Sequence, residues 1–180
     1  MARRYDPDRR QRIIDAAIRV VGEKGLAGLT HRAVAAAADV PLGSTTYHFR
    51  TLDELTVAAL RQASEGFAKV IASRGGLQDP SADLAAELAG WMGEWLAGDR
   101  TGVELEYELY LAALRRPVLR PVAAEWAEDL ADRIAPRTDA VTARALVALM
   151  DGICLQVLLT GVAYDEGYAR EMLRRVISGG

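Results

Sequence analysis

The sequence predicts an all-α protein of about nine helices: a three-helix, homeodomain-like head followed by a fourth helix that leads into a larger helical domain. Three observations carry this. The 180 residues are 51% hydrophobic but only 6% aromatic, and Ala and Leu abound while β-branched clusters are few, a balance that favours packed helices over sheet. Apolar residues recur at spacings of three and four along most of the chain. Gly and Pro punctuate it at helix-length intervals.

Each element has its own signal. Asp6-Pro7 reads as a cap and first residue for helix one, in which Ile13, Ile14, Ala17, Ile18 and Val21 keep helical spacing until Gly25. Leu26 to Leu29 is a connector, and Thr30 sits where an N-cap belongs, ahead of an inward stripe of Val34, Ala37 and Ala38. Asp39 to Gly43 is a turn by composition, and Ser44 to Phe49 a further helical piece. Thr51 to Glu54 forms a capping box that opens a fourth helix with Leu55, Ala59, Leu60, Ala63, Phe67, Val70 and Ile71 on its apolar face, running to Gly75-Gly76. Asp79-Pro80-Ser81 restarts helix, with Leu84, Leu88, Trp91 and Trp95 sharing one face until Gly98. Val103 to Arg115 makes the next helix. Pro117 and Pro121 precede one holding Val122, Trp126, Leu130 and Ile134, which Pro136 closes. Thr138 to Gly161 is a strongly apolar helix, and Tyr168 to Ile177 an amphipathic last one. The expected division is a head at 1–52 and a second domain at 53–180, with 53–74 as the linking helix.

Composition also excludes. Asp151, Gly152 and Gln156 interrupt the longest apolar stretches, so none is expected to reach the roughly 18 to 20 residues of a membrane span. The N-terminus MARRYDPDRRQR has no apolar core of a secretory signal, so a cytoplasmic protein is expected. One cysteine, Cys154, permits no internal disulfide, and two histidines make a metal cluster implausible; neither metal nor cofactor is expected. No HExxH, GxSxG or phosphate-binding glycine loop is present, which argues against an enzyme. The net charge of −3 is unevenly spread: residues 1–50 hold nine basic and five acidic side chains, +4, leaving −7 for the rest. A basic head on an acidic body suits one part that meets phosphate and one that does not.

Function concentrates between Thr30 and Phe49. A helix, a short turn and a second short helix place side chains on base edges, because an α-helix fits the major groove while its partner braces it. Thr30 and the free amides behind it suit a phosphate, and Arg32 reaches far enough to fork onto guanine. Gly43, Ser44, Thr45, Thr46, Tyr47 and His48 are small or polar, poor at burying area and good at approaching DNA. Val40 and Phe49 are core residues of the head.

The run LTHRAVAAAADVPLGSTTYHFRTLDEL, Leu29 to Leu55, resembles the signature of the TetR family of bacterial transcriptional regulators. That resemblance implies a homodimer that binds a double-stranded DNA operator and holds a small-molecule effector in its helical body, most often as a repressor released by that effector. It places phosphate contacts on Thr30, Tyr47 and His48, and base-edge contacts on Arg32, Pro41, Leu42, Gly43, Ser44 and Thr46. The chain departs from the pattern at Thr46, where members carry a tyrosine, and at Leu52, where they carry a phosphate-binding lysine; Arg50 is the nearby substitute. A helical small-molecule carrier without DNA affinity is the alternative reading, and Leu52 is its best argument.

In the second domain, Trp91, Trp95, Tyr107, Tyr110, Trp126, Met150 and Cys154 are candidates for lining an effector pocket or for plain core. Glu104, Glu106 and Glu108 alternate with apolar residues, which reads as a solvated face or as a carboxylate for a cationic ligand. Asp151 is expected at the dimer interface with Arg144, or at the pocket. Leu146, Leu149, Ile153, Val157, Met172, Leu173 and Val176 offer the apolar surface for a four-helix dimer interface.

Overall fold

A computed structural model describes residues 7–72, 75–77, 79–98 and 100–179. Among them the helices are α1 (Arg9–Lys24), α2 (His31–Ala37), α3 (Leu42–His48), α4 (Leu52–Ala72), α5 (Leu84–Ala97), α6 (Arg100–Arg115), α7 (Arg120–Ile134), α8 (Ala140–Thr160) and α9 (Glu166–Ser178), joined in places by 3₁₀ turns. Asp6 lies outside the described residues, as do the side chains expected on apolar faces at Phe67, Val70, Ile71, Val103 and Leu105.

The chain forms two compact units. The first joins Met1–Gly66 to Glu104–Ala123; the second joins Phe67–Val103 to Ala124–Gly180. This differs from the expected division at residue 52. Leu55 and Ala59 of α4 are buried in the head's own core, Glu108 of α6 is hydrogen-bonded to Leu26, and Arg116 just after α6 pairs with Asp53 of α4, so compactness follows space rather than chain order.

In the first unit, Ile13, Ile14, Ala17, Val20 and Val21 of α1 bury against Leu29, Val34, Ala38 and Phe49. α1 begins at Arg9, with Asp8 and not Asp6 at the capping position, and no side chain caps it. Thr30 does cap α2, its Oγ1 accepting from Ala33 N at 3.1 Å. The inward stripe of α2 is Val34, Ala35 and Ala38; Ala37, expected among them, is exposed. The turn before α3 is shorter than its composition suggested, because Leu42 and Gly43 are already helical. Its positive φ falls on Asp39 (φ 50°), a residue type that tolerates the left-handed region better than most. The capping box of α4 forms: Glu54 N donates to Thr51 Oγ1 at 3.1 Å, and the Glu54 carboxylate reaches back to Arg50 N at 2.8 Å.

In the second unit, α5 packs on α9 and α8, burying Leu84, Leu88 and Trp91 together with Leu146, Met150, Ala169 and Leu173. Asp83, not the Asp79 segment, caps α5: it accepts from Ala86 N while pairing with Arg170 (2.6 Å) and Arg174 (2.9 Å) of α9. The Arg170 guanidinium, the capping amide and Arg174 hold its carboxyl well below the usual aspartate range. Asp79 instead closes a small turn with Ser81. Arg137 donates to the carbonyls of Gly76, Leu77 and Ala82, fixing the segment before α5. Asp139 and Gly161 (φ 69°) cap the two ends of α8.

α8 corrects one expectation. At 21 residues, with a mean hydropathy of 1.6 over its most apolar window, it is long and apolar enough to cross a bilayer by length and composition alone. Leu146, Val147, Met150, Ile153 and Cys154 bury one stripe of it within the unit, while Val141, Leu155 and Leu159 stay open.

Candidate nucleic-acid interface and helical body

α3 is a two-faced helix, and its small size makes the division sharp. Ser44 and Thr45 turn inward and are buried, at 3% and 0% exposure. Thr45 satisfies itself by donating to Leu42 O at 2.8 Å, whereas Ser44 Oγ has no hydrogen-bond partner. Ser44 is therefore not on the outer face with the other candidate base contacts; a small side chain there lets α3 sit close to the rest of the head. The outer face is made by Leu42, Gly43, Thr46 and Tyr47, all exposed, with Tyr47 at 82%. A tyrosine ring left this open buries little of its apolar area within the chain, so its place on the surface suits an external partner. Its ring meets His48 edge-on at 5.1 Å, which limits the freedom of both side chains.

Gly43 adds a second sign. A Cβ built on it would meet nothing within 4 Å, so the protein itself gives no steric reason for glycine in the first turn of this helix. A surface approached closely from outside does. Pro41, at the N-cap of α3, and Thr30 and Arg32, at the start of α2, are exposed beside this face in sequence. Arg50 is exposed, its backbone N engaged by Glu54.

Arg10 was not singled out by the sequence pattern. Its guanidinium lies 5.0 Å over the ring of Phe49, the residue that ends α3, and it borders a cleft of about 850 Å³ together with His48, Thr51 and Gln62. Stacking on a ring uses the face of the guanidinium and leaves its N–H edge available to a phosphate. The signal in the sequence is only the basic run Arg9-Arg10, which does not say which of the two is held in place.

The body candidates divide between the units. Tyr107 and Tyr110 belong to the first, their rings edge-on at 6.2 Å. Trp91, Trp95, Trp126, Met150 and Cys154 belong to the second, where Trp91 and Trp95 stack at 6.1 Å with 22° between their planes. Two hollows in the second unit, of about 350 and 270 Å³, are lined instead by residues such as Leu96, Val157 and Tyr164, and Ile153, Thr160 and Tyr168. Asp151 is half-buried on α8, and burial pushes its carboxyl up to about 6. Arg144, its expected companion, is exposed.

The dimer candidates are only partly on the surface. Leu146 and Leu173 are fully buried inside one chain and Ile153 nearly so, because α8 and α9 spend that stripe on α5 and on each other; they have no surface for a partner. Leu149, Val157, Met172 and Val176 are half-buried. The large apolar side chains left open on α8, α9 and the segment between them are Val141 at 79%, Leu155, Leu159 at 76%, Val162 at 65% and Tyr168.

Among the described residues every regular element is helical, and a head that presents a short, polar, open helix ahead of a helical body has the architecture of a helix-turn-helix DNA-binding regulator. Comparison with known proteins names the class. Residues 13–59 match the model of the bacterial regulatory proteins of the tetR family, and residues 79–179 match the tetracyclin repressor-like C-terminal domain. The chain belongs to the TetR family of transcriptional regulators. Among solved structures it is similar to the multidrug binding protein EbrR complexed with ethidium (74% identity, 96% of this chain and 100% of that one, TM-score 0.89) and with malachite green (75%, 95% and 99%, 0.83). It is equally similar to a TetR-family member from Streptomyces coelicolor A3 (75%, 95% and 99%, 0.85). A curated relative is the nicotine-responsive transcriptional repressor HdnoR of Paenarthrobacter nicotinovorans, 29% identical over 164 residues that cover 83% of each chain.

Proposed function

We propose that this regulator is a homodimeric, cytoplasmic repressor whose α3 enters the major groove of its operator, and which flat or propeller-shaped aromatic cations release. The open outer face of α3, with Tyr47 exposed and Gly43 unobstructed, carries the DNA reading. Thr30, Tyr47, His48, Arg10 and Arg50 take phosphates, and Arg32, Pro41, Leu42, Gly43 and Thr46 face base edges. The effector class rests on the 74–75% identity to a protein solved with ethidium and malachite green, both aromatic cations. Asp151 offers a carboxylate whose burial a cation would offset. Two chains associate through the open residues of α8 and the segment after it, Leu155, Leu159 and Val162, with Tyr168 of α9.

One experiment tests both halves. Retention of a radiolabelled duplex from the DNA flanking its own gene is measured with and without malachite green. Binding that weakens steeply with salt and is released by the dye is expected. Salt-independent binding overturns the DNA reading, and binding insensitive to a dye that demonstrably quenches the tryptophans overturns the effector reading.

A further inference from the structure

The glutamates of α6 read in the sequence as a solvated face or a cation site; Glu108 is exposed, and its carboxylate also reaches the α1–α2 junction. Its Oε2 accepts a hydrogen bond from Leu26 N at 2.7 Å, across 82 residues of chain. Leu26 opens the 3₁₀ turn between α1 and α2, and its amide is one of the donors that such a start leaves unsatisfied. The neighbouring Gly25 has φ 67°, and a Cβ there would stand 2.9 Å from Glu108 Oε1. The glycine that ends α1 thus also makes room for a carboxylate arriving from α6. Just past the C-terminal end of α6, Arg116 pairs with Asp53 in the first turn of α4. Leu109 and Ala113 between them are buried.

We infer that Glu108 is a positioning residue for operator binding: through the Leu26 amide it ties α6 to the α1–α2 junction, four residues before the Thr30 cap of the helix-turn-helix. The inference rests on the DNA-binding reading above. Because a charge-assisted hydrogen bond to a backbone amide is directional, a change in the head's geometry on DNA is felt at α6, and the reverse holds by linkage. No effector is needed to see it.

The test is peptide-resolved amide exchange of the full chain, free and bound to the flanking-DNA duplex. In the wild type, operator binding is expected to slow exchange in the 107–115 segment about five-fold or more. In Glu108→Ala, and in Glu108→Asp, which keeps the charge but is one methylene too short, the slowing should stay confined to α1–α3. Glu108→Gln keeps an acceptor oxygen and should restore the wild-type pattern. Equal slowing in all four proteins, or none in the wild type, overturns the inference. Retention of the duplex on filters, measured on the same samples, separates this failure from a failure to bind DNA at all.

Discussion

Gly43→Ala sets stability against function at a single atom. Glycine inside a helix costs roughly 0.5–1 kcal/mol relative to alanine, and the second position of a short helix lies at the low end of that range. Since the added Cβ meets nothing within 4 Å, no strain offsets the gain. A rise of about 0.5 kcal/mol corresponds to a melting temperature about 1–2 °C higher for a protein of this size. The same methyl group stands on the outer face of α3, which the proposed function places against the groove, and a displaced contact there would cost about 1–3 kcal/mol, roughly 5- to 150-fold in affinity. Calorimetry and filter retention of the flanking-DNA duplex should therefore move in opposite directions. A variant that melts higher and still binds DNA as tightly as the wild type would sink the placement of Gly43 against DNA; one that melts lower would contradict the open space seen around it.

Other substitutions test the remaining parts. Tyr47→Ala, at an exposed site, should leave the melting temperature unchanged within about 0.5 kcal/mol while weakening operator binding by about 1–3 kcal/mol. Arg10→Ala should flatten the plot of log affinity against log salt by about 0.9 for one lost phosphate contact; an unchanged slope excludes Arg10 from the backbone. Leu159→Asp should halve the mass seen by light scattering, and a mass equal to that of the wild type would rule out this face as the interface. For Asp151 the sign follows from a folded-state pKa raised to about 6: below the usual aspartate range it is protonated in both states and costs nothing, and the penalty grows as pH rises towards 6 and is complete above it. Asp151→Asn should thus raise stability at pH 7 by up to about 3 kcal/mol and have no effect at pH 3. The same change should abolish the tightening of malachite green binding between pH 5 and pH 7.

Signals contained within one turn of helix were legible in the sequence. Thr30 and the Thr51–Glu54 box announced their caps because a cap is a short-range contact between a side chain and an amide three residues on. Facing was harder. Ser44 looks like a surface residue by polarity, yet in a seven-residue helix two adjacent positions must turn inward, and Ser44 and Thr45 are those two. In α8 nearly every position is apolar, so periodicity does not separate the stripe bound to α5 and α9 from the open one, and Leu146 was read outward for that reason. Contacts such as Glu108 with Leu26 leave no periodic trace, since they depend on which distant element folds back.

The share of α6 in the first unit bears on how such regulators are recombined. Cutting the chain after α3, or even after residue 66, and fusing that head to another body would remove the Glu108 hydrogen bond, the Arg116 pair with Asp53 and the buried Leu109. The transplantable piece is discontinuous: a head that keeps its native geometry takes residues 104–123 with it.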